Sequence, residues 1–217
     1  MLFRSAPFTI AEFLGVFVAY NAAIWPAQIA AYMLGVIAVA ALWLKQPRLI
    51  LAILAFMWLG NGIGYHYLFF CVINPAAPLF AGFFVLEAVL FAACAVGTGK
   101  LSFRIGCDFR TGAGLASIFY AIIIYPVLGL WAGHGFMAGP MFGVAPCPTT
   151  IFTIGMLLLA RGRWVVWLSI VPILWSAIGL AAALQLGMLE DFALPVAGLL
   201  LLLALARVQP LQKESHS

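Results

Sequence analysis

Charge is what this chain has least of. Only 7% of its 217 residues are Asp, Glu, Lys or Arg, whereas 66% are hydrophobic. Soluble domains carry about 25% charged residues, so a soluble enzyme or binding module is excluded. No polar stretch is long enough to make a separate soluble domain, and residues 1–217 are read as a single transmembrane domain. Nucleotide and hydrolase signatures are also lacking. There is no P-loop, no G-x-G-x-x-G, no G-x-S-x-G and no H-E-x-x-H. The segment Met1–Pro7 has one Arg and no small-residue cleavage site after a short apolar run, so no removable signal peptide is expected.

Cysteine is scarce and irregular. The four cysteines form no C-x-x-C pair, which removes the usual zinc and dithiol spacings. The formal net charge of +4 would suit a nucleic-acid partner. The basic residues are scattered over separate loops, however, as topology signals are. No nucleic acid is expected. The partners implied are the lipid bilayer and a small solute or ion, and oligomeric state is not legible.

What is present is length of apolar run. A spanning helix needs about 20 mostly apolar residues. Spans are read at Ala27–Leu44, Leu49–Ile73, Leu79–Gly97, Ala113–Gly133, Cys147–Ala160, Trp164–Gly187 and Phe192–Ala206. The expected fold is therefore all-α, a polytopic transmembrane helical bundle of about seven spans, within a range of six to eight. The fifth span is short and opens on Pro146 and Pro148, a proline-broken start that is tolerated where protein or a water cavity covers the backbone. Residues 7–25 form the ambiguous segment. Thr9 and Glu12 make a T-x-x-E capping box and Pro26 ends the run, so a helix starts there. It is read as an amphipathic or partly inserted N-terminal helix, with a further span as the alternative.

The loops between these spans alternate in charge. Lys45, Arg48, Lys100, Arg104, Arg110, Arg161, Arg163, Arg207 and Lys213 fall in the first, third, fifth and last breaks, and the others carry no Lys or Arg. Cytoplasmic loops retain Lys and Arg. This predicts a cytoplasmic C-terminus, with a short cytoplasmic tail at 208–217. On that topology Cys71 and Cys147 lie near outer ends of spans, where a disulfide between them is open. Cys94 is deep in a span and Cys107 is cytoplasmic.

Polar residues then gather in the outer half. His66 is about 10 Å below the outer surface and Glu87 about 13 Å deep, at 1.5 Å per residue. Tyr65 adjoins His66, Asn74 sits in the next outer loop, and His134 closes the fourth span. Thr149 and Thr150 open the fifth, and Glu12 and Asn21 join if the first helix lies on that side. These nine residues are the candidate solute-binding set. An intramembrane ionisable group is a functional hypothesis by default. The plainer reading makes Glu87 a helix–helix hydrogen-bonding group and His66 an interhelical histidine. Pro146 and Pro148 bracket Cys147 and present its thiol at a helix start. His66, His134 and Cys147 are a candidate ligand set for a soft transition metal, with packing as the plainer reading of the thiol. No cofactor is otherwise fixed. The glycines Gly60, Gly62, Gly64, Gly179 and Gly187 are expected to permit close helix packing. Trp25, Trp43, Trp131 and Trp164 match an interfacial belt.

Five segments carry a resemblance: Ala19–Gln28 (AYNAAIWPAQ), Gly64–Phe70 with Ile73–Ala76 (GYHYLFF, INPA), Gly133–Gly135 (GHG), Pro146–Gly155 (PCPTTIFTIG) and the Leu-Glu-Asp turn. Together they resemble a family of uncharacterised bacterial multi-span membrane proteins, a domain of unknown function, over nearly the whole chain. The resemblance implies a bacterial inner-membrane, multi-pass protein and carries no activity. Three functions stay open. The first is a small-solute or metal-ion transporter or binding protein with an outward-facing polar vestibule. The second is a membrane enzyme or a haem or metal redox subunit using His66, His134 and Cys147. The third is an accessory subunit of a membrane complex.

Overall fold

The computed structural model describes residues 8–97 and 101–207. The segments 1–7, 98–100 and 208–217, with Arg4, Lys100 and Lys213, lie outside the described residues. Among the described residues, eight helices of 14 residues or more follow one another, with a four-residue helical turn, Gly135–Ala138, between the fifth and sixth: α1 Ile10–Ile24, α2 Ala27–Trp43, α3 Pro47–Val72, α4 Ala77–Val96, α5 Phe109–Trp131, α6 Pro146–Leu159, α7 Val165–Leu186 and α8 Leu189–Ala206. A two-stranded antiparallel ribbon, β1 Ser102–Phe103 with β2 Ala160–Arg161, joins the loops before α5 and after α6.

Five of these helices, α3, α4, α5, α7 and α8, are long and apolar enough to cross a membrane. The count reaches six if α1 and α2, which meet at 85°, make one bent span. The seven spans read from the sequence differ because α2 has 17 residues and α6 has 14. At 1.5 Å per residue α6 is about 21 Å long, short of the ~30 Å hydrocarbon core.

Helix α6 is the centre of the bundle. Every side chain from Pro148 to Leu159 is buried, and Leu158, Leu159 and Phe152 have no exposed surface. The backbone groups at the ends of such an enclosed helix need protein partners or a lined cavity. At its start, Pro146 and Pro148 remove two of the first three helical N–H groups that would otherwise lack partners. The hydroxyls of Thr149, Thr150 and Thr153 donate to the carbonyls four residues earlier, at 2.7, 2.8 and 2.8 Å. At its end, Arg110 donates from Nε to Leu158 O and from Nη2 to Leu157 O and Ala160 O. Arg161 donates to Leu158 O and Ala160 O. Two guanidinium groups at the carbonyl end also suit the helix dipole.

Close packing against α6 depends on glycine. A Cβ on Gly114 of α5 would stand 2.9 Å from Gly155 O, and one on Gly155 would stand 2.8 Å from Gly114 O. The two backbones therefore touch, as small residues allow in membrane bundles. Gly179 plays the same part under Leu194, whereas Gly187 ends α7 with a left-handed φ of 70°. Gly60 meets nothing within 4 Å, so packing does not explain it.

Two helices change their winding. In α3, Asn61–Phe69 forms a π segment before a 3₁₀ turn at Phe70–Val72. In α5 a π turn at Tyr120–Ile124 precedes Pro126, which has no N–H to continue the ladder. At α1 the expected capping box is present. Glu12 N–H donates to Thr9 Oγ1 at 3.2 Å, and Thr9 N–H donates to Glu12 Oε2 at 2.7 Å. Phe13, Val16, Phe17, Tyr20 and Asn21 form one buried stripe along α1, which is the face an amphipathic helix offers. At the far end Asp108 caps α5, and hydrogen bonds from Thr111 hold its carboxyl below the ordinary range.

Candidate functional site

The π segment of α3 sets the site. Its wider turns place Tyr65 and His66, adjacent in sequence, both on the buried side, with relative exposures of 2% and 0%. Tyr65 stacks between Phe17 of α1 and Phe70, at ring distances of 4.8 and 5.3 Å and interplanar angles of 20° in both cases. His66 lies among Tyr65, Phe70, Phe80, Phe84 and Trp175, with Phe84 nearest at 4.7 Å and Trp175 at 5.0 Å. Neither His66 ring nitrogen has a hydrogen-bond partner among the described residues. A buried polar group left without a partner costs about 1–3 kcal/mol.

These rings wall a cavity of about 670 Å³. It lies where α3 and α7 end and where α6 and α8 begin, with α1 along one side. The β1–β2 ribbon, Arg110 and Arg161 are at the opposite end of α6. Aromatic and aliphatic side chains make most of the wall. The polar groups are His66, Asn74, Cys147, Gln185 and Asp191, with the Tyr65 hydroxyl, and no Lys or Arg lines it among the described residues. Cys147 lies against Asp191 and the Trp175 indole. The Tyr125 hydroxyl donates to Asp191 Oδ1. Asn74 Oδ1 accepts from Ala76 N–H at 3.0 Å and closes the turn into α4.

The candidate residues therefore divide. Tyr65, His66, Asn74 and Cys147 share the cavity. Glu12 serves as the α1 cap and is exposed. Asn21 is buried and donates to Met137 O and Gly139 O at 2.8 and 3.0 Å, which ties α1 to the loop before α6. Thr149 and Thr150 spend their hydroxyl protons on α6 itself. Glu87 has no exposed surface and faces the α4 core stripe with Phe84 and Phe91, and neither carboxyl oxygen has a partner among the described residues. The hydrogen-bonding role weighed for Glu87 therefore finds no acceptor or donor here.

His134 belongs to a neighbouring cluster. Its Nδ1 lies 3.0 Å from Glu190 Oε1, and the Tyr120 hydroxyl donates to Glu190 O at 2.9 Å. Among the described residues no group of three His, Cys, Asp or Glu side chains is placed to hold a metal ion. The set His66, His134 and Cys147 is thus not assembled as metal ligands: His66 is enclosed by rings, while His134 turns to Glu190. Cys71 and Cys147 are free thiols, so the disulfide open to them is not formed.

Several wall residues were not singled out from the sequence. Asp191 was legible only as part of an acidic turn. Trp175 carried a signal, since a tryptophan in mid-span has no interfacial reason to be there. Phe13 and Phe17 were indistinguishable from ordinary apolar helix residues.

The chain belongs to a family of unknown function, DUF6064, whose profile matches residues 10–216. No curated protein and no solved structure matches it.

Proposed function

We propose that this protein is a multi-pass inner-membrane protein of bacteria, with about seven spans and a cytoplasmic C-terminus, that binds and passes a small solute through an outward-facing vestibule. The α1 helix is the partly inserted wall of that vestibule. The observation that carries the proposal is the cavity of about 670 Å³ with the enclosed His66 in its wall, unpartnered among the described residues. Its volume falls in the range of small-molecule sites. Its place supports an outward mouth, because the Lys and Arg that mark cytoplasmic loops cluster at the other end. The short central α6 supports passage, since transporters build sites at the ends of discontinuous helices.

Cys147 reports on this directly. With Cys71, Cys94 and Cys107 changed to Ser, a membrane-impermeant thiol reagent added outside intact cells should label Cys147. Filling the cavity with Ala182→Phe, a change in its wall, should slow labelling by at least about tenfold. Labelling of Cys147 only from the cytoplasmic side would reject the proposal.

A further inference from the structure

The vestibule proposed above leaves its ligand open, and the wall chemistry narrows it. We infer that the cavity binds a planar, uncharged ring carrying a hydroxyl or carbonyl oxygen, the phenol–quinone class, with that oxygen on His66. This inference rests on the vestibule reading.

Three observations converge. The first is shape and surface. Phe17, Tyr65 and Phe70 stand nearly parallel, and Trp175 meets Phe80 edge-on at 5.3 Å. Flat aromatic walls favour a flat aromatic guest through stacked and edge-to-face contacts. The second is charge. An anionic head such as a fatty-acid carboxylate or a phosphate would find no Lys or Arg among the described lining residues, and would meet Asp191 instead. A lipophilic cation would need a free carboxylate, but Asp191 is already engaged by Tyr125 and Cys147. The third is the unmet demand. His66 lines the cavity, has no exposed surface, and has both nitrogens unpartnered among the described residues. A neutral imidazole offers one donor and one acceptor. A ring hydroxyl can donate to the bare nitrogen, and a ring carbonyl can accept from the N–H.

The test uses the full chain purified in detergent, with duroquinone as probe, because its fully substituted ring does not add to thiols. Laurate and tetraphenylphosphonium are the anionic and cationic comparators, and each titration is run by calorimetry. Saturable 1:1 binding of duroquinone is expected. Loss of one hydrogen bond in His66→Phe should weaken it about tenfold, and His66→Gln, which keeps a donor and an acceptor, should recover most of that loss. Ala182→Phe should abolish it. A cooperative unfolding transition at or above the wild-type midpoint in each variant shows that the fold is intact. Tighter binding of laurate or tetraphenylphosphonium than duroquinone, lost in Ala182→Phe, would overturn the ligand class and leave the vestibule standing. Equal duroquinone affinity in wild type and His66→Phe would remove the assignment to His66. If no probe responds to Ala182→Phe, the ligand class and the vestibule fall together.

Discussion

Glu87 and His66 set a single physical problem at the residue scale. Each is an ionisable side chain enclosed without a hydrogen-bond partner among the described residues. Folding gains nothing from leaving such groups bare, so the structure predicts that an apolar replacement stabilises. Glu87→Leu should raise the thermal midpoint in detergent, by an amount equivalent to about 1–3 kcal/mol. A lower midpoint would mean that the carboxyl has a structural partner. Under the proposed function Glu87, an ionisable group inside the membrane, is a candidate proton relay for solute passage. Glu87→Gln and Glu87→Leu should then both lose that passage while remaining folded, since neither side chain can carry a proton. Passage equal to wild type in Glu87→Gln would leave the carboxyl without that role. Depth and residue type made Glu87 and His66 legible as unusual. Their neighbours were not legible, because which ring faces which depends on helix rotation, and hydrophobic runs without alternation do not encode rotation.

Helix α6 is the decisive element. It is shorter than the ~30 Å hydrocarbon core and it is enclosed by the other helices, so its carbonyl end relies on Arg110 and Arg161. Arg110→Leu should destabilise by about 1–3 kcal/mol, because Leu157 O loses the one side-chain donor given to it while Arg161 still serves Leu158 O and Ala160 O. Arg110→Lys should recover only part of this, since a point charge cannot reach three carbonyls as a planar fork does. Chemical unfolding in mixed micelles measures both, and full retention of stability in Arg110→Leu would refute the capping role. The Gly114–Gly155 contact leaves no room for a side chain, so Gly155→Val should cost at least about 1–3 kcal/mol by overpacking. The proline bracket and short length of α6 were plain in the sequence. Arg110 was legible only as a topology charge, because pairing it with a helix end nearly fifty positions away requires the fold. The π segment of α3 was likewise illegible. Asn61–Phe69 reads as a continuous span, and only the winding turns Tyr65 and His66 inward together.

At the scale of the molecule, the two ends of the bundle differ in chemistry. One end holds the aromatic cavity with His66 and Asp191, and the other holds the ribbon with Arg110 and Arg161. Reporter enzymes fused after Arg104 and Arg161 should give cytoplasmic signals, and fusions after Phe142 and Asp191 should give external ones. An external signal at Arg161 would invert the molecule and the vestibule with it. The eight long helices were legible in the sequence, whereas the number long enough to cross a membrane was not, because α2 and α6 have only 17 and 14 residues. The cavity wall is mostly aromatic and aliphatic, and Asn21, Thr149 and Thr150 are consumed in holding the backbone in place. Under the proposed function this cavity holds a small molecule. Native mass spectrometry of the protein extracted from its host membrane tests it most directly. Wild type should release a bound compound of small-molecule mass that Ala182→Phe, equally folded, does not carry. No bound compound in either protein, or the same compound retained by both, would mean that the cavity is not a ligand site.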